Sequence, residues 1–107
     1  MSNPAMVVVA RSSTTIRRKQ VTKTTTYTVL STDEVIRCNH ASTPFTITLR
    51  AAVGARRELV IKNIGAAAVT VQRAGSDTID GSTSIVLAQW GVARLFDAAA
   101  GAWDNHA

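Results

Sequence analysis

The side chains able to do chemistry in this sequence are few, and their spacing assembles little. Arg11, Arg17, Arg18, Lys19 and Lys23 place five cations in the first 24 residues with no acid among them, whereas residues 25–107 carry seven basic and seven acidic side chains. All of the formal charge of +5 therefore sits in the first quarter of the chain. That segment is rich in Ser and Thr and lacks sustained apolar periodicity after Val9, so residues 1–24 read as an extended basic N-terminal arm. Such cations suit an acidic protein surface or a phosphate backbone. The cluster has no interleaved aromatics for base stacking, no helix-turn-helix pattern is visible, and Cys38 and His40 lack the further ligands of a zinc finger. Nucleic acid is accordingly not the expected partner.

The acids give no catalytic pair. Hydrolysis by two carboxylates needs both at one cleft, and here Asp33, Asp77, Asp80 and Asp97 sit mostly beside turn residues, where a carboxylate bonds nearby backbone N–H groups. Asp77-Thr78-Ile79-Asp80-Gly81 lacks the regular oxygen ligands and closing Glu of a calcium loop. His40 and His106 lie 66 positions apart with no ligand motif around either. No Gly-rich phosphate loop, nucleophile elbow or HExxH occurs. The expectation is a non-enzymatic chain with no metal and no cofactor. Trp90 and Trp103 are the two candidates for stacking on a sugar; the competing reading, which is favoured, makes them packing anchors in a core short of aromatics. Cys38, the only cysteine, cannot form an intramolecular disulfide and reads as a buried, inert thiol.

The elements that must carry these groups are short strands. Fourteen Thr and many Val and Ile favour a pleated, half-buried surface, because branching at Cβ restricts χ1 and packs well on a sheet. In Phe45-Thr46-Ile47-Thr48-Leu49 the apolar residues share one face and the threonines the other. Residues 58–63 and 68–73 predict an antiparallel hairpin turning at Asn63-Ile64-Gly65, and residues 27–30 and 35–38 predict another strand pair. Thr78-Ile79, residues 84–87 and residues 92–96 add three more strands, the last two joined through Gln89-Trp90-Gly91, and Gly101-Ala102-Trp103 predicts a final edge strand. Ala98-Ala99-Ala100 is the one helical candidate, too short to nucleate alone. This pattern predicts an all-β fold, an antiparallel β-sandwich of jelly-roll type over residues 25–107 preceded by the arm. A single small core leaves a thin stability margin, which favours symmetric self-association that also covers edge strands. No apolar stretch reaches the ~20 residues needed to span a bilayer, so no membrane insertion is expected. Residues 5–10 lack the preceding basic residues of a signal peptide, so synthesis in the cytoplasm without one is expected.

The ordered series Phe45-Thr46-Ile47-Thr48-Leu49, Val60-Ile61-Lys62-Asn63-Ile64-Gly65, Val69-Thr70-Val71, Gly75-Ser76-Asp77-Thr78-Ile79-Asp80-Gly81 and Asp97 through Gly101-Ala102-Trp103 resembles a β module of tailed-bacteriophage virion proteins. Such modules occur in tail-fibre and in head-fibre or decoration proteins. The resemblance implies a β-sandwich in a particle component, made in the host cytoplasm, self-associated as a trimer or, at a capsid vertex, a pentamer, and not enzymatic. Arg50 stands where these modules often place proline, and Ala98-Ala99-Ala100 replaces their polar turn. With no long fibre shaft, the chain fits an accessory capsid component that docks on the major capsid protein or another virion protein through Arg11, Arg17, Arg18, Lys19 and Lys23. The alternative is a tail-fibre module recognising host-surface carbohydrate through Trp90 or Trp103.

Overall fold

The computed structural model describes residues 17–107 and contains strands but no helix among them. The strands are β1 (Gln20–Lys23), β2 (Tyr27–Thr28), β3 (Val35–Cys38), β4 (Phe45–Thr48), β5 (Glu58–Asn63), β6 (Val69–Gln72), β7 (Thr78–Ile79), β8 (Ser84–Leu87), β9 (Val92–Ala99) and β10 (Ala102–Asn105). They form a six-stranded sheet in the order β1-β3-β5-β9-β10-β7 and a four-stranded sheet in the order β2-β4-β6-β8. The chain changes sheet at each step from β1 to β6. Consequently β1, β3 and β5 stack in parallel in one layer while β2, β4 and β6 stack in parallel in the other. Each turn of the chain is one coil of a solenoid-like stack. Beyond the parallel coils the pairing turns antiparallel, β9 against β5 and β8 against β6; among the described residues β1 and β2 are the edge strands at one end and β7 and β8 at the other.

The all-β class matches the sequence reading, but the pairing differs from an antiparallel jelly roll: five of the eight strand pairs are parallel. The expected hairpin between β5 and β6 is instead a corner between sheets, as are the links from β2 to β3 and from β8 to β9. Alternation specifies which side chains point inward and leaves the neighbouring strand undetermined. Ala98 and Ala99 belong to β9, the longest strand, and β10 lies inside the sheet between β9 and β7. Residues 17–24, expected as the distal part of the arm, include β1, which pairs in register with β3 from Gln20↔Val35 to Lys23↔Cys38.

Both sheets turn their apolar sides to one core. Phe45, Ile47 and Leu49 are buried together as their alternation requires, against Ile36, Leu59, Ile61, Val69, Val71, Ile79, Leu95 and Trp103. Each such side chain contributes about 1.5–3 kcal/mol when fully removed from water. Cys38 is also fully buried, and burial pushes its thiol up to about 11. The native thiol should therefore react with iodoacetamide about 100-fold more slowly than the urea-unfolded chain at pH 8, because the thiolate is the nucleophile. Mass spectrometry after timed labelling checks this; equal rates would mean that the core opens around β3.

The coil corners are held by polar groups within the core. Asn63 is fully buried at the end of β5; its Nδ2 donates to the carbonyls of Ala67 and Leu87 at 2.9 and 3.0 Å, and its Oδ1 accepts the N–H of Gly65 at 3.0 Å. One amide thus ties the β5–β6 corner to β8. Asn63 is part of the motif series noted in the sequence, and its role is satisfaction of buried backbone groups.

Candidate functional site

Two polar arrangements could carry chemistry, one buried and one on the surface. The buried one gathers Tyr27, Asp33, Arg50, Asp97 and Trp103. Asp33 is fully buried; its Oδ2 accepts from the Tyr27 hydroxyl at 2.5 Å and from the N–H of Leu30 at 2.9 Å, and Lys19 Nζ lies 3.9 Å from Oδ1. That bond, with burial and the Asp33 charge, pushes the Tyr27 phenol up to about 12. Arg50 stacks 5.3 Å from the Trp103 ring and faces the Asp33 carbonyl at 3.5 Å. Burial lowers its pKa, with Arg57 acting in the same direction and Asp97 and Asp33 opposing.

Asp97 lies on the inward face of β9, 2 % exposed, and accepts the N–H groups of Val53, Ala55 and Arg57 at 3.4, 3.1 and 2.8 Å. Burial alone would raise its pKa; the Arg57, Ala55 and Val53 N–H groups, with the charge of Arg50, outweigh it and hold the carboxyl below its ordinary range. These are acids committed to backbone donors. The turn reading of Asp97 is corrected: it sits in a strand and bonds a loop some 40 residues away. Asp77 likewise accepts from the distant Ala52 N–H at 2.9 Å and Asp80 from that of Asn105 at 3.0 Å, while Asp33 does close its own turn at Leu30.

The surface arrangement lies on the outer side of the six-stranded sheet. In-register pairing aligns Thr22 with Arg37, Arg37 with Lys62, and Lys62 with Val92. Arg37 and Lys62 are thus adjacent cations on neighbouring parallel strands, where like charges repel. Neither forms a salt bridge among the described residues. The Lys62 ammonium donates to the carbonyl of Trp90 at 2.8 Å. Trp90 is 62 % exposed and adopts φ +69, a left-handed conformation that a bulky residue rarely takes. Its N–H is fixed to the Asn63 carbonyl at 2.6 Å, and Gly91 beside it packs so closely that a Cβ would lie 2.9 Å from the Ala88 carbonyl oxygen. A tight corner thus presents an exposed indole whose backbone carbonyl holds the Lys62 ammonium, with Arg37 in register beside Lys62 on the next strand.

The other expected site residues divide. Arg11 lies outside the described residues. Arg17 is exposed, Arg18 pairs with Glu58 at 2.8 Å, and Lys19 is bound to its own domain through its N–H to Glu34 at 2.6 Å and its ammonium to Thr32 at 3.2 Å. Lys23 stacks 4.0 Å over the Tyr27 ring. Trp103, 1 % exposed, is a packing anchor whose ring is out of reach of a sugar, whereas Trp90 is exposed. His40 caps a turn, its Nδ1 accepting from Ser42 and Thr43 at 3.1 and 2.9 Å, and His106 packs edge-on against Phe96. Among the described residues no three metal-ligating side chains gather and no ligand-sized cavity opens. Arg37 and Lys62 escaped the sequence reading because their partnership depends on a register between strands 25 residues apart. No family model, curated protein or solved structure matches the chain.

Proposed function

We propose that this chain is a non-enzymatic structural module of a tailed-phage-like virion, an accessory capsid component of head-decoration or spike type that self-associates and docks on the particle through its basic N-terminal segment. The observation that carries this reading is the coil end that adjoins the basic segment. Among the described residues β1 and β2 are the edge strands there, beside the half-buried Val21 and Tyr27, and β7 and β8 are the edges at the opposite end. Solenoid ends of this kind need a cap, and a second copy or a particle protein supplies one. The resemblance of the ordered motif series to phage virion modules supports the same reading, with a trimer favoured over a pentamer. Trp90 favours a second reading, a tail-fibre module that touches host-surface carbohydrate.

Cryo-electron microscopy of particles carrying the protein tests the assignment, since density on the head supports a decoration role and density at the tail tip supports the second reading. A strictly monomeric mass at micromolar concentration, together with absence from the particle, would overturn both. Arg18 and Lys19 also bond within the domain, so docking is best probed at Arg11 and Arg17. The double change to Ser should weaken particle attachment several-fold and reduce its salt sensitivity, with the far-ultraviolet dichroism unchanged. Wild-type occupancy in a sedimentation assay would make the segment a passive tail.

A further inference from the structure

We propose that Trp90, Lys62 and Arg37 form a binding platform for an acidic polysaccharide, with the indole stacking on a sugar ring and the two cations receiving its carboxylates. The inference rests on the second reading, a module that touches carbohydrate, and names the ligand class of that surface. Trp90 is 62 % exposed although a core short of aromatics could have used it, and it holds φ +69, where glycine would be unstrained. Costly backbone conformations of this kind concentrate at functional positions. Its N–H and carbonyl are both fixed, by Asn63 at 2.6 Å and Lys62 at 2.8 Å, so the platform is rigid before any ligand arrives. The Lys62 bond also places an ammonium at the foot of the same residue that carries the indole.

The charges select the ligand. Arg37 and Lys62 are directly opposed in register and have no acid partner among the described residues, so a bound anion relieves their repulsion. A second copy of this chain facing the same surface would add like charges and increase that repulsion. Single-stranded nucleic acid would also satisfy the cations, but its binding surfaces align several aromatic platforms along a groove. Here Trp90 is the one strongly exposed aromatic among the described residues. One exposed ring, with an ammonium held at its backbone and a second cation on the next strand, matches one sugar ring carrying a carboxylate.

Affinity electrophoresis of the purified full chain through gels containing polygalacturonate tests the assignment, with fully methyl-esterified polygalacturonate and oligodeoxythymidylate as the other arms. Wild type should be retarded by the acidic polymer and not by its ester, and retardation should fall with added salt. Trp90→Gly relieves the backbone strain, so its melting temperature should equal or exceed that of wild type while binding weakens by about tenfold. Lys62→Gln and Arg37→Gln should each weaken binding by about threefold and flatten the salt dependence. The proposal is overturned by a wild type that ignores the acidic polymer or binds the ester equally, by tighter binding to the oligonucleotide, or by a Trp90→Gly variant that binds as wild type does. Because the assay needs no particle, its failure is separable from a failure of the virion assignment.

Discussion

Gly65→Ala is expected to leave the chain unable to reach its native fold. Gly65 stands at the corner between β5 and β6, directly against the corresponding corner between β3 and β4. A Cβ on it would lie 2.4 Å from the His40 nitrogen, 2.6 Å from the His40 carbonyl oxygen and 3.1 Å from the Asn39 carbonyl carbon. All three are backbone atoms, so no side chain can swing away. The two corners are also locked by main-chain bonds on both sides of the contact, Ile64 N–H to the Cys38 carbonyl at 2.9 Å and Ala67 N–H to the His40 carbonyl at 3.0 Å. Separating the corners enough to admit a methyl group stretches these bonds and the Asn63 network behind them. The combined cost is about 4 kcal/mol or more, a large part of the stability of a domain this size. Gly75→Ala is the control: its added Cβ meets nothing within 4 Å, and its φ of +51 costs only about 1–2 kcal/mol. Urea titrations followed by dichroism compare the two. A Gly65→Ala protein melting within about 1 kcal/mol of wild type would show that the coils are not in contact at this corner.

The sequence displayed the composition of this contact but not the contact itself. Asn63-Ile64-Gly65 was legible as a place where the chain turns, because those residue types tolerate unusual backbone conformations. That Gly65 is required for close approach to His40, and not for positive φ, depends on the two corners stacking, which no local pattern encodes. The same division runs through the fold. Alternation identified Phe45, Ile47 and Leu49 as a buried face, and the burial agrees. It could not distinguish an antiparallel neighbour from a parallel one a full coil away, since both satisfy the same inward-outward pattern. The β5 segment shows the limit most plainly: its outward Lys62 gains meaning only beside Arg37, 25 positions earlier in the chain. Trp90 and Trp103 were indistinguishable by type, and their separation into a surface ring and a core anchor follows from place, a corner for one and the inner face of β10 for the other.

Asp97→Ala should be the most damaging change that removes rather than adds atoms. The carboxylate is the sole side chain accepting from Val53, Ala55 and Arg57 N–H, and the loop that carries these donors joins β4 to β5 across the end of the core. Main-chain bonds from Arg56 N–H to the Asp97 carbonyl at 3.2 Å and from Asp97 N–H to the Arg57 carbonyl at 3.4 Å fasten its far side, and Ala52 fastens the near side by accepting from Gly101 N–H at 2.9 Å and donating to Asp77 at 2.9 Å. Alanine leaves three donors to find water or remain unpaired, a loss of about 3–5 kcal/mol when each costs about 1–3 and the loop relaxes partway. Asparagine retains one acceptor but turns an amide N–H₂ toward N–H groups, so it should recover less than half of that loss.

The acid limb provides a second readout. Because the folded pKa of Asp97 lies below its unfolded value, its contribution is fully present above the unfolded pKa, near ~3.9, and is lost as pH falls through that value toward the folded one. Wild type should therefore lose stability steeply below about pH 4, and Asp97→Ala should show a shallower loss over the same range because the group that must protonate is gone. Urea midpoints measured from pH 2.5 to 7 provide both numbers. Parallel curves for the two proteins would mean that the carboxylate is not held by the loop and that the β4–β5 connection is anchored by its main-chain bonds and by Asp77.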